Sequence, residues 1–177
     1  RALVKKAVKY EMPAVALTDS GNMMGAFVFN QEINSYNKSL EKKHKEATEK
    51  GEEPEGKPIK SIIGSELFVC KDHTDKSKKD NGYQVVFLAK NKTGYHHIAK
   101  MSTIGYTEGF YYVPRIDKEI VKQYKQDVIV LSGGRYGEIP YLILNVGEQQ
   151  AEEAVLWWKE QFGDDFYLEL INHGLEE

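Results

Sequence analysis

Cysteine is nearly absent from this chain. A single Cys70 in 177 residues excludes an internal disulfide and fits a reducing compartment. It sits in the apolar run Leu67-Phe68-Val69-Cys70, where a small buried hydrophobe is expected rather than a nucleophile. No apolar run approaches the roughly 18 residues that span a bilayer. No secretory signal is recognisable either, so no membrane partner is expected and the cytoplasm is the expected location. An excess of positive charge is also missing. The 24 Lys and Arg face 27 Asp and Glu, for a net charge of −3. Proteins grip nucleic acid through clustered cations that release counterions, so this segment is not expected to hold DNA directly. No Walker loop, dinucleotide fingerprint or Gly-x-Ser-x-Gly elbow is present.

What remains is an ordinary globular composition, 41% hydrophobic, in a chain long enough for one domain with a real core. Leu3, Val4, Ala7 and Val8 form an apolar helical stripe that Pro13 stops. Ala14 to Leu17 reads as a short buried strand ending in the polar turn Thr18-Asp19-Ser20-Gly21-Asn22. Ala26, Phe29, Ile33, Tyr36 and Leu40 fall on one helical face. Strands are expected at 61–69, 83–89, 127–131 and 166–171, and helices at 94–103 and 118–125. A further helix carries Ala151, Ala154, Val155, Trp158 and Phe162, with Gly163 as its stop. Such alternation predicts an α/β fold of parallel strands with crossover helices. Pattern alone leaves open whether the sheet is open or closed.

Residues 38–57 hold six Lys and six Glu, with Leu40 and Ala47 as the only apolar side chains. The first half is expected to extend the preceding helix through pairs such as Glu41 with Lys45. The second half, Gly51-Glu52-Glu53-Pro54-Glu55-Gly56, has too little to bury to stay ordered. A charged, mobile insertion in a single domain is the reading. Lys76 to Asp80, followed by the turn signal Asn81-Gly82, reads as a second polar loop.

Several runs occur together in a telling order: the Thr18-Asp19-Ser20-Gly21 turn, Lys57-Pro58-Ile59 through Ile62-Ile63-Gly64-Ser65-Glu66, and Leu88-Ala89-Lys90-Asn91 with Gly94-Tyr95. Glu108-Gly109-Phe110-Tyr111-Tyr112 with Pro114-Arg115-Ile116-Asp117 follows, then Leu131-Ser132-Gly133-Gly134, then Phe166-Tyr167-Leu168-Glu169-Leu170 with His173-Gly174. Together they resemble the PHP (polymerase and histidinol phosphatase) domains, in the form carried by α subunits of bacterial DNA polymerase III. The resemblance implies a distorted seven-stranded (β/α) barrel. It also implies a truncated domain, with the first strand and its His-x-His pair before Arg1 and a further metal motif beyond Glu177.

PHP enzymes hold a metal cluster at the carboxyl ends of their strands, where it generates hydroxide and clamps phosphate. The resemblance places four ligand positions of that cluster at Ser20, Glu66, Gln84 and Gly134, where the metal-binding polymerases carry His, Glu, His and Cys. Only Glu66 matches. Ser and Gln offer neutral oxygens and Gly offers nothing, so no metal site and no catalytic residue are expected. The histidines do not rescue it. His96 and His97 diverge by about 100° on a helix, His44 and His73 are expected to be solvated in charged loops, and His173 matches no ligand of the pattern. Ser132-Gly133-Gly134-Arg135 is read as a tight turn rather than an anion nest.

The implied role is structural. A degenerate PHP domain would brace the polymerase chain and dock a separate proofreading exonuclease among the other replicase holoenzyme subunits. The parent would be a DNA-directed DNA polymerase that needs magnesium, while this segment would need no cofactor of its own. Eleven tyrosines are many for such a core; Tyr106, Tyr111, Tyr112, Tyr124 and Tyr136 are the candidate partner contacts. The alternatives are a metal-dependent PHP phosphoesterase or intrinsic 3′–5′ exonuclease, and a stand-alone histidinol-phosphatase-like enzyme.

Overall fold

The computed structural model describes residues 2–172 and 174. The elements are α1 (Ala2–Lys9), β1 (Ala14–Ser20), α2 (Ala26–Glu49), β2 (Lys60–Cys70), β3 (Tyr83–Ala89), α3 (Lys92–Thr107), β4 (Arg115–Asp117), α4 (Lys118–Gln123), β5 (Val128–Leu131), α5 (Glu138–Asn145), α6 (Glu148–Phe162) and β6 (Phe166–Tyr167). They form a mixed α/β fold with a six-stranded sheet of order β1-β2-β3-β5-β6, β4 pairing with β2. Arg1, His173 and residues 175–177 lie outside the described residues.

The sheet corrects the expectation of parallel strands. β2 with β3 and β3 with β5 are antiparallel, whereas β2 with β4 and β5 with β6 are parallel. The β2–β3 connection, residues 71–82, contains no helix, and parallel neighbours need a long crossover that this loop does not supply. Periodicity reports which side chains are buried, not which way the next strand runs. β6 is also shorter than the expected strand at 166–171, and α5 was not foreseen.

The chain divides into two units. The first takes the residues up to Leu17 together with Met24–Ile63. Its core is Val4, Ala7, Phe29, Ile33 and Ile59, with Val8, Val15, Leu17, Tyr36 and Ile63 packed on it. α2 continues into the charged segment as far as Glu49, with an exposed Lys42–Glu46 pair at 3.8 Å. Leu40 is buried, the Tyr36 hydroxyl donates to Lys57 O at 3.3 Å, and a His44 ring nitrogen lies 2.8 Å from Glu55 O.

The second unit takes Thr18–Met23 and the chain from Gly64 on. In an antiparallel pair, residues in register project to one face. Leu67, Val69, Val85, Phe87, Val128 and Val130 line one face and pack against Ile98 and Met101 of α3, Val121 of α4 and Trp158 and Phe162 of α6. This is the main core. The opposite face carries Glu66 and Phe68 of β2, opposite Val86 and Gln84 of β3, with Leu131 opposite Val86. That second face positions the candidate site. No helix of the described residues is long and apolar enough to cross a membrane.

Candidate functional site

β1 stops at Ser20 because Gly21 turns the chain with φ +72° and packs so closely that a Cβ there would lie 2.9 Å from Pro114 Cγ. The turn is pinned by Gly21 N–H donating to Glu66 O at 2.7 Å and Ser102 Oγ donating to Gly21 O at 2.9 Å. The fully buried Ser65 hydroxyl sits 2.9 Å from Asp19 O and 2.8 Å from Asn22 O. In this frame Ser20 Oγ donates to Glu66 Oε1 at 3.1 Å. Two of the four positions singled out in the sequence are therefore in direct contact.

Gln84 shares the face of Glu66, opposite Phe68 in the register. The Ser132–Gly134 turn follows β5, the neighbour of β3. Gly133, at φ +84°, approaches the backbone of Gln84 so closely that a Cβ would overlap Gln84 O; only glycine fits. Ser132 ties the turn to the chain after β6, its N–H donating to Tyr167 O at 3.0 Å and its Oγ accepting from Glu169 N–H at 2.9 Å. Gly134 contributes no donor, and the space where its side chain would stand is taken by the Ile171 side chain.

The donor set is thus one carboxylate, a hydroxyl hydrogen-bonded to it, a neutral amide and a glycine. It does not fit a transition-metal cluster, which wants imidazole, thiolate and several carboxylates. Among the described residues, the one converging trio of metal-ligating types is Asp72, His73 and Asp117. Its atoms are already engaged. Asp117 Oδ1 caps α4 by accepting from Glu119 and Ile120 N–H, each at 3.1 Å. Asp117 Oδ2 accepts from His73 N–H at 3.3 Å and bonds the His73 ring, while Asp72 Oδ1 accepts from Thr74 N–H and Oγ1.

His73 is buried, which corrects the expectation of a solvated loop histidine. His44 is partly buried through its bond to Glu55, and His97 Nδ1 contacts Gln126 O at 2.9 Å. Sequence reading missed Arg115, which is fully buried. Its guanidinium donates to Gly109 O, Asp80 O, His73 O and Asp75 O at 2.9–3.2 Å. A basic residue two positions from a helix-capping Asp was the available signal, but nothing local says that it points inward. Cys70 is buried as expected, its Sγ 3.2 Å from Ile116 O. Burial pushes its thiol up to about 11, which makes it a poor nucleophile.

The tyrosines separate. Tyr106, Tyr112 and Tyr136 are exposed. Tyr111 is half-buried under Arg115, and Tyr124 packs on the main core and on His97.

A sheet face with its chemistry gathered around the end of β1, the Glu66 strand and the Ser-Gly-Gly turn defines the class. The chain belongs to the PHP domain family, which matches residues 1–173. It is 38% identical over 99% of its length to the DNA polymerase III subunit alpha of Borreliella burgdorferi, covering 14% of that protein. The corresponding subunit of Treponema pallidum is 36% identical over 99% of this chain and 14% of its own. That of Deinococcus radiodurans is 34% identical over 94% of this chain and 12% of its own. The chain thus corresponds to a PHP-domain segment of DNA polymerase III alpha subunits and spans about one seventh of their length.

Proposed function

We propose that this segment works mechanically within a replicative DNA polymerase α subunit in the cytoplasm, bracing the polymerase and docking a separate proofreading exonuclease, and that it holds no metal of its own. The complete domain closes the seven-stranded barrel of its family, and the polymerase reaction, with its magnesium, belongs to the rest of the protein. The observation that carries this reading is the Ser20–Glu66 hydrogen bond. The one carboxylate left at the four positions is satisfied by a neutral hydroxyl, so it needs no cation. A domain unable to hydrolyse 3′ ends requires a partner that can, and the exposed Tyr106, Tyr112 and Tyr136 supply ring surface of the kind that anchors protein interfaces.

Elemental analysis of the full-length protein tests the metal half. Substoichiometric Zn, Mn and Fe are expected, and Ser20→His alone restores no phosphodiesterase activity, because Gln84 and Gly134 still offer no ligand. Two or more bound transition-metal ions per chain would overturn the reading. Calorimetric titration with the exonuclease of the same organism tests the docking half. Saturable binding is expected, and its absence at tens of micromolar, about the weak end of useful affinity, leaves only the bracing role.

A further inference from the structure

Beside Gln84 lies an open cleft of about 540 Å³. Two cation–ring pairs border it: Lys79 stands over the Tyr112 ring with its Nζ 5.1 Å from the centroid, and Arg135 stands over Tyr136 at 5.7 Å. Lys79, Arg135 and Tyr136 all line the cleft. Neither cation makes an ion pair among the described residues. The lining carboxylate, Asp80, is turned back on its own loop, accepting from Gly82 N–H at 2.9 Å and Lys71 N–H at 3.2 Å. The rest of the lining is mixed: the amides of Asn81, Gln84 and Asn145 stand beside Phe68, Tyr141, whose ring packs on Tyr83, and Leu144, which is 81% exposed.

We propose that this cleft docks a short acidic segment of a partner protein, an aliphatic or aromatic side chain seated over Tyr141 and Leu144 and carboxylates flanking it toward Lys79 and Arg135. The inference rests on the docking reading and narrows it to one place and one chemistry. Two cations with no ion pair among the described residues, beside the exposed Tyr141 and Leu144, are complementary to an acidic segment that carries an apolar side chain. A single nucleic-acid strand also likes rings and cations. It is the poorer fit, because the lysines of the 71–80 loop are interspersed with Asp72, Asp75 and Asp80 and the chain as a whole carries a net charge of −3.

A random short-peptide library panned against the full-length protein tests it. Enrichment of peptides with Asp or Glu on both sides of Leu or Phe is expected. Arg135→Glu and Lys79→Glu each weaken a selected peptide by about tenfold or more, without changing thermal unfolding, because both side chains are exposed. Enrichment of neutral or basic peptides, indifference to both charge reversals, or displacement of the peptide by oligothymidylate would overturn the proposal. Competition with the exonuclease separates the two readings. Exonuclease binding that survives Arg135→Glu and ignores the peptide keeps the docking role and rejects this cleft. Acidic peptides that bind here in the absence of any exonuclease binding support the cleft and reject that partner.

Discussion

Residues 50–58 and residues 71–82 are both Lys- and acid-rich connections with hardly an apolar side chain between them, yet the fold treats them differently. The first is attached at its margins, through Tyr36 to Lys57 and His44 to Glu55, and the space it borders with α2 amounts to about 890 Å³. The second is nailed down from beneath. Arg115 binds three of its carbonyls, those of His73, Asp75 and Asp80, and Asp117 holds His73 by ring and backbone. Equal local polarity therefore says little about order. What decides is whether a distant residue brings a buried partner to the loop's backbone.

The largest test of that contrast is Arg115→Met, which keeps the bulk and removes the donors. Leaving several buried carbonyls without a partner costs on the order of 3 kcal/mol, read by urea denaturation, together with faster amide exchange across 71–82. If the cost is no greater than that of deleting the other loop, the contrast collapses.

A smaller effect comes from Asp117→Asn. Burial works to raise the Asp117 carboxyl, but hydrogen bonds from the His73 ring and from the Ile120 and His73 N–H groups outweigh it and hold the group below its ordinary value. A carboxyl depressed in the folded state stabilises above its unfolded pKa, about 3.9, and that contribution is lost as pH falls through the folded pKa. The variant is expected to be about 1–2 kcal/mol less stable at neutral pH, with the gap closing in acid. A gap that is constant with pH would assign the loss to packing instead.

The smallest effect is expected from replacing Thr48 to Gly56 by a short Gly-Ser linker, which shifts Tm by less than about 2 °C. A drop of several degrees would show that the marginal bonds of the first loop hold it as firmly as Arg115 holds the second.

The sequence pattern was most legible where it recorded local chemistry. The polar turn closing β1, the α2 stripe from Ala26 to Leu40 and the Gly163 stop of α6 all stand where spacing placed them. The Ser20–Glu66 contact joins positions 46 residues apart, and it was the family resemblance rather than periodicity that paired them. Strand direction escaped because burial periodicity is the same for either orientation. Arg115 and His73 escaped because a charged residue reads as solvated until its partners, all of them backbone carbonyls or a remote carboxylate, are known. The α5 helix escaped because it buries only Ile139 while Tyr141, Ile143 and Leu144 are left exposed, so no apolar stripe marks it.

The Ile171 side chain that fills the space beside Gly134 bears on what position 134 can accept. A cysteine placed at position 134 would press its β-carbon against the tip of that isoleucine and would stand on a backbone with φ +46°. Ile171 is itself 53% exposed, so its tip can swing aside, whereas the left-handed backbone cannot be relieved by any neighbour. Position 134 is therefore held to glycine by its own torsion more than by what surrounds it.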